Sequence, residues 1–335
     1  MATNTMKTNV RNAFLILVAI SAIAAWLSTA KSSPPIRIAL NRWIGYDTLW
    51  VAQELGITAE EGVQIQVIDQ WSLPDSRRTF EKRQVDGFGG TLAELLTAND
   101  RPGDESRGRG ISVLDVSDGL DVLIAREGLV QFGDLRGKKV GVEVGSTDLL
   151  LLATAVQAHG MKLEDVVVVP MRQSRMKSAM SAGQVDAVCT YPPVSTEISN
   201  SMQTHVLFSS ADAPGRIVDL LIVDEAVLHS SHREFEALVR ANQRVVKLLL
   251  AGDERVVGLI AGREGVTREE LLEMIKKLKF PTPEEQVELL KAGGVVHASL
   301  STARGTLESV KAITPGIATD DFLPTSVVEK FSRSD

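Results

Sequence analysis

The sequence predicts an α/β protein of two similar lobes followed by a helical tail. Three observations carry that expectation. Apolar strand patterns alternate with helical ones from residue 36 to residue 189. Gln-Val-Asp recurs at 84–86 and 184–186, each time where a helix end runs into a strand. After Val223, four amphipathic helical patterns follow one another. Strand and helix in alternation make a parallel sheet with helices on both faces, and one tripeptide in the same place in two βαβ units points to internal similarity.

In the first unit, Ile36 to Leu40 reads as a buried strand, Asp47 to Leu55 as a helix stopped by Gly56, and Val63 to Ile68 as a strand. Pro74 to Arg83 is helical, Val85 to Phe88 a strand and Leu92 to Ala98 a short helix, with the Gly- and charge-rich Arg101 to Gly110 expected as a loop. The second unit has strand patterns at Val122 to Ala125, Val140 to Val142, Val166 to Val169 and Val185 to Cys189. Helices Thr147 to His159 and Ser174 to Ala182 lie between them, and Gly160 sits where a helix C-cap belongs. Ile217 to Val223 is a last apolar strand. The tail then reads as helices at His232 to Leu250, Arg268 to Leu278, Pro283 to Ala292 and Ala298 to Ile313, punctuated by Pro281 and Pro283. Such a tail is expected to wrap the first lobe.

The chain has 335 residues, 44% hydrophobic and 24% charged, a composition that excludes disorder and a multispan membrane protein. Lys7 and Arg11 precede the apolar run Ala13 to Ala30, the layout of a secretory signal, with Ser28-Thr29-Ala30 offering small residues for cleavage. An uncleaved anchor over 1–30 is the rival reading, since eighteen residues just span a bilayer. Either way the remainder is expected outside the cytoplasm, periplasmic and either soluble or held by that segment, with 31–35 as a linker. Beyond Lys7 and Arg11 the charge is 34 basic against 43 acidic residues, which opposes nucleic acid as a partner. A single cysteine, Cys189, excludes an internal disulfide and a Cys-rich metal knot. The five histidines fall away from the strand-end loops, so no catalytic constellation emerges, and neither a cofactor nor a metal is expected.

In open α/β sheets ligands sit beyond the carboxyl ends of the strands, which selects five places. Trp43, Gly45 and Tyr46 follow the first strand and read either as a flat ligand wall or as core packing; Trp50, in the next helix, is assigned to core. Gly89-Gly90-Thr91-Leu92 suits close approach and N-capping. Gly145-Ser146-Thr147 opens a long helix, where free N–H groups and the helix dipole make an anion seat worth roughly 0.3–2 kcal/mol, or an ordinary cap. Ser117-Asp118-Gly119 lies where the chain crosses between lobes, and Asp118 either accepts from a ligand or closes a turn. Tyr191, before Pro192-Pro193, faces the same cleft or packs. Neither GxGxxG nor GxxxxGK is present, which argues against a dinucleotide or nucleoside triphosphate.

Several of these segments resemble a known family. Trp43-Ile44-Gly45-Tyr46-Asp47, Leu49 to Gly56, Gly133 to Glu143, Gly183 to Ala187 and Pro214-Gly215-Arg216-Ile217-Val218-Asp219 are similar, in order and spacing, to the periplasmic solute-binding proteins of nitrate, sulfonate, taurine and thiamine-precursor ABC importers, the NMT1/THI5-like group. The resemblance runs from Ile36 to about Leu323. It implies a type II periplasmic-binding-protein fold, with lobe 1 at 36–118 plus 218–335 and lobe 2 at 119–217. It also implies capture of a small anionic or heteroaromatic solute by lobe closure, delivery to a permease, and a monomer. The alternatives are a solute sensor acting through a membrane partner, or a fold-related enzyme of pyrimidine or menaquinone-precursor synthesis. By loop position the ligand contacts fall on Trp43, Gly45, Tyr46, Thr91, Leu92, Ser117, Asp118, Gly145, Ser146, Thr147 and Tyr191. The expected pose sets an anionic head at Gly145 to Thr147 and a flat body against Trp43, Tyr46 and Tyr191. Two departures stand out: Ile44 occupies a position where relatives often have proline, and no cysteine is placed to carry a lipid anchor.

Overall fold

The structure, a computed structural model, describes residues 34–101 and 108–330. The signal segment 1–30, linker residues 31–33 and positions 102–107 of the expected loop lie outside the described residues. From Ile36 onward the chain forms thirteen helices and eleven strands among those residues.

The first sheet contains β1 (Ile36–Leu40), β2 (Ile65–Asp69), β3 (Gly87–Thr91), β4 (Gly108–Ser117), β10 (Val218–Asp224) and β11 (Leu278–Lys279), in the order β11-β4-β10-β3-β1-β2. The second contains β5 (Val122–Arg126), β6 (Lys139–Val142), β7 (Val167–Pro170), β8 (Ala187–Thr190) and β9 (Thr204–Ser209), in the order β7-β6-β8-β5-β9. Neither sheet is purely parallel, which corrects the expectation. Strands β1, β2 and β3 run together, but β10 opposes both β3 and β4. In the second sheet β6, β7 and β8 run together and β5 opposes both β8 and β9. The reversed strands β5 and β10 are the ones that follow the two passages between sheets. A parallel strand needs a crossover of a dozen or more residues, whereas residues 118–121 join β4 directly to β5. The chain therefore enters the new sheet from its carboxyl end.

Between the strands of the first sheet lie α1 (Ile44–Glu54), α2 (Ile57–Glu60), α3 (Leu73–Glu81) and α4 (Leu92–Asn99). The second sheet carries α5 (Thr147–Ala158), α6 (Gln173–Ser181) and α7 (Val194–Ser201). The tail is α8 (Glu225–Ser230), α9 (His232–Leu250), α10 (Glu254–Glu264), α11 (Arg268–Ile275), α12 (Pro283–Leu290) and α13 (Val295–Ser309). Helices α9 and α10 pack on α1, while α13 lies against both α4 and α5. The tail thus covers the first sheet and also touches the second, where Gln157 Nε2 donates to Ser309 Oγ at 3.1 Å. Helix α10 escapes the sequence reading because Gly258 and Gly262 depress its helical signal. The expected loop Arg101 to Gly110 ends early, since Gly108 already opens the ten-residue β4.

Strand β4 is irregular: its pairing with β10 slips between Asp219 and Leu220 and again between Leu221 and Ile222. At the first slip the side chain of Gln286, fully buried on α12, takes over the strand's role. Its Oε1 accepts from Val113 N at 2.9 Å and its Nε2 donates to Val113 O at 2.6 Å. Replacing Gln286 by alanine strands both backbone groups in the core. At about 1–3 kcal/mol for each unsatisfied group, Gln286→Ala is expected to lower unfolding free energy by roughly 3 kcal/mol in urea titration.

The two passages between sheets meet. Ser117 Oγ at the end of β4 lies 2.8 Å from Ser210 Oγ, just after β9, and Gly119 N donates to the same Ser210 oxygen at 2.7 Å. Beside them, Leu150 of α5 and Tyr191 beyond β8 pack into the hydrophobic core of the first sheet, although their own elements belong to the second.

Candidate functional site

The loops at the carboxyl ends of β1, β3 and β8 converge with the start of α5 on a narrow cavity of about 10 Å³. It is lined by Asn41, Trp43, Tyr46, Leu73, Thr91, Asp121, Thr147, Tyr191 and Asp219. All nine residues are buried, and the space is so narrow that little more than a water molecule fits between the walls. Thr147 and Tyr191 come from the second-sheet side, most of the rest from the first.

Trp43 stands at the N-terminus of α1, which starts at Ile44, three residues before the expected Asp47; Gly45 and Tyr46 therefore occupy its first turn. The Trp43 ring meets Tyr191 edge to face, with centroids 5.8 Å apart at 87°. Its indole Nε1 donates to Asp115 Oδ2 at 3.0 Å. Tyr46 lies flat on β3 because position 89 has no side chain: a Cβ there would stand 2.8 Å from the ring. The phenol donates to Asp219 Oδ1. Gly45 lines nothing, but a Cβ on it would fall 1.6 Å from Asp115 Oδ2, so its bareness is what lets that carboxylate in.

Three polar residues stand in one row across adjacent strands. Thr91 on β3 is opposite Asp219 on β10, which is opposite Asp115 on β4. Two carboxylates directly across from each other repel when both are charged. Burial, and then the charge of Asp121, pushes Asp115 up to about 8, burial and the charges of Asp115 and Asp121 push Asp219 well above the usual carboxylate range, and the two are close enough to share a proton. Asp121, in the passage between β4 and β5, is pushed up to about 7 by burial and by the nearby charge of Glu94. Thr91, which also lines the cavity, caps α4 in a capping box with Glu94.

The remaining residues singled out from sequence sit elsewhere. Leu92 is buried core, and Trp50 is half-buried with the Arg263 guanidinium 4.6 Å above its ring. Trp71, unassigned from sequence, is 89% exposed just after β2. Ser117 faces Ser210, and Asp118 pairs with Lys279 at 2.6 Å outside the cavity. Gly145 adopts a left-handed φ of 74°, the conformation that favours glycine, and lies near Arg77 rather than in the cavity. Ser146 caps α5 by accepting from Asp148 N at 3.4 Å.

The expected anion seat has acidic neighbours. Thr147 N donates to Glu94 Oε1 at 3.2 Å, so a carboxylate of the protein already takes that helix N-terminus. Behind it, Asp148 accepts from Glu143 N and from Gln173 Nε2. Asn41 falls within the loop Asn41 to Tyr46 that the sequence singles out, though without a role; sequence reasoning missed Leu73, Asp121, Asp219 and, behind Trp43, Asp115. The available signal was a lone aspartate inside each of the apolar runs Ile111–Val116 and Ile217–Val223, a residue seldom buried without a task.

Comparison with known proteins adds a family. The NMT1/THI5-like family model matches residues 46–255. A putative binding protein of Brucella abortus (strain 2308) is 29% identical over 178 residues, 52% of this chain and 56% of its own, so the match spans little more than half of that relative. Among solved structures, the alkanesulfonate-binding protein SsuA from Xanthomonas axonopodis pv. citri bound to MOPS superposes with a TM-score of 0.72 at 13% identity, over 89% of this chain and 99% of that one. The periplasmic nitrate-binding protein NrtA from Synechocystis PCC 6803 gives 0.73 at 13% identity, over 89% and 88%. At such identities the likeness is one of fold.

Proposed function

Because the chain belongs to the NMT1/THI5-like family, we propose that it is the extracytoplasmic solute-binding component of an ABC importer, capturing a small molecule between two lobes and handing it to a membrane permease. The lobes are 36–118 with 218–335, and 119–217. The observation that carries this reading is the buried cavity, whose lining draws Thr147 and Tyr191 from one sheet's elements and Trp43, Tyr46 and Asp219 from the other's. A solute touching both lobes favours closure by its differential affinity, while one touching a single lobe would leave the equilibrium unmoved. The alkanesulfonate-binding and nitrate-binding proteins named above share the fold and support the reading. Among the described residues no helix is long and apolar enough to cross a membrane, so attachment there would depend on a partner or on the segment before residue 34.

Native mass spectrometry of protein exported to a periplasm and purified without denaturation tests this directly. The expected result is a small-molecule adduct that unfolding releases, with a solute at a hundred times its dissociation constant adding about 2.7 kcal/mol of stability. Absence of any adduct, together with no compaction in small-angle scattering across sulfonates, nitrate, amines, amidines and aromatic acids, would overturn it.

A further inference from the structure

The cavity has the polarity of a cation site. Asn41, Thr91, Asp121, Thr147 and Asp219 supply its polar lining beside the aromatic residues, and no lysine or arginine joins them. Asn41 Nδ2 donates to Arg42 O at 3.1 Å, which leaves Oδ1 without a partner. Asp121 Oδ2 and Thr147 Oγ1 are likewise buried and unpartnered. Asp115 and Asp219 have Trp43 and Tyr46 as donors and otherwise only each other. A buried polar atom without a partner costs about 1–3 kcal/mol, so a row of acceptors facing a void calls for a ligand rich in N–H groups. The walls above and below are Trp43, Tyr46 and Tyr191, whose faces attract flat cations.

We propose that the captured solute presents a flat, compact cation with two or more N–H donors, of the amidine or guanidine type, which Asp121, Asp219 and Asn41 receive against Trp43 and Tyr191 once the lobes part beyond the present spacing, which leaves room for little more than a water molecule. This rests on the solute-capture reading and replaces the anionic head expected from sequence.

The other groups around the site act in the same direction. Glu94 from α4, Glu143 just beyond β6 and Asp148 in the first turn of α5 add further acids that burial pushes up, and Tyr46 and Tyr191 stay neutral, pushed well up by burial and the surrounding carboxyls. Arg77 on α3 is the cation nearest Glu94, and it pairs with Glu81 outside the lining. In the empty cavity the acids hold protons that an entering cation displaces. Binding therefore releases protons, and affinity rises with pH until the acids are ionised.

Isothermal titration in weakly buffered potassium chloride, free of sulfonate buffers and amines, reads both effects with benzamidine and acetamidine, which stay cationic throughout. The expected result is release of about one proton per bound amidine and close to a tenfold gain in affinity between pH 5.5 and 6.5, the slope that one linked proton dictates. Asp121→Asn should abolish the release and weaken binding at least tenfold. Asp219→Asn, which keeps an acceptor for Tyr46, gives the same test should the first variant fold poorly. Binding of methanesulfonate or nitrate with proton uptake, and none of either amidine, would overturn this inference while leaving solute capture intact. Failure of both amidines and both anions to bind would overturn it along with that support for capture.

Discussion

Gly45→Ala is expected to destabilise the protein by about 3 kcal/mol and to abolish its response to solute. The added methyl carbon would lie 1.6 Å from Asp115 Oδ2 and 2.7 Å from its Cγ, distances at which something has to move. Asp115 is fully buried on β4 and pinned by the Trp43 indole, so neither it nor the start of α1 yields cheaply. Overpacking of this kind costs about 1–3 kcal/mol, and losing the indole contact strands a buried donor at a similar cost. Gly258→Ala is the control. That glycine lies on the exposed face of α10 with open space around it, and alanine there should stabilise by roughly 0.5–1 kcal/mol. Urea unfolding of the two variants beside the parent protein separates steric conflict from the general effect of alanine. Equal stability in all three would remove Asp115 from the position assigned to it.

The second large effect is on pH. The unliganded protein should lose stability as pH rises from about 5 to about 8, the reverse of the usual acid-side loss. The sign follows from proton counting. Asp121 has its pKa raised to about 7, so between its ordinary value and 7 the folded chain holds a proton that the unfolded chain has released. Its contribution is complete below the unfolded value and disappears as pH passes the folded one, and a move of that size corresponds to roughly 4 kcal/mol. Asp115 and Asp219 act in the same direction. Glu61 and Asp75, where bonds from arginines outweigh burial and hold the carboxyls low, already contribute in full across this window and do not offset the loss. Melting temperatures measured at half-unit steps should fall across it, and Asp121→Asn should flatten the slope. A flat profile in the parent protein would mean that the acids are solvated and the cavity open.

Much of the scaffold was legible because local pattern sufficed. Ile36–Leu40 is five apolar-rich residues that became β1 with the same ends, and His232–Leu250 became α9 because its apolar stripe keeps the helical period over nineteen residues. The aromatic half of the cavity was legible too, since Trp43, Tyr46 and Tyr191 follow strands or begin helices at one end of the two sheets. Its acidic half was not. Thr91, Asp219 and Asp115 become neighbours only when β10 slots between β3 and β4, and that pairing joins residues more than a hundred positions apart. Strand direction was hidden for the same reason, because an apolar run reads alike either way. The surroundings of the expected anion seat were hidden by tertiary structure: Glu94 comes from another helix to accept from Thr147 N at the start of α5.

The hydroxyl pair Ser117 and Ser210 gives the two passages between sheets a property that ordinary donor–acceptor pairs lack. Either oxygen can be the donor, so the bond has no fixed polarity. Rotation of the two hydroxyls exchanges donor and acceptor with almost no displacement of heavy atoms. Both passages between the sheets are therefore fastened to each other at one point, through a bond that either hydroxyl can donate.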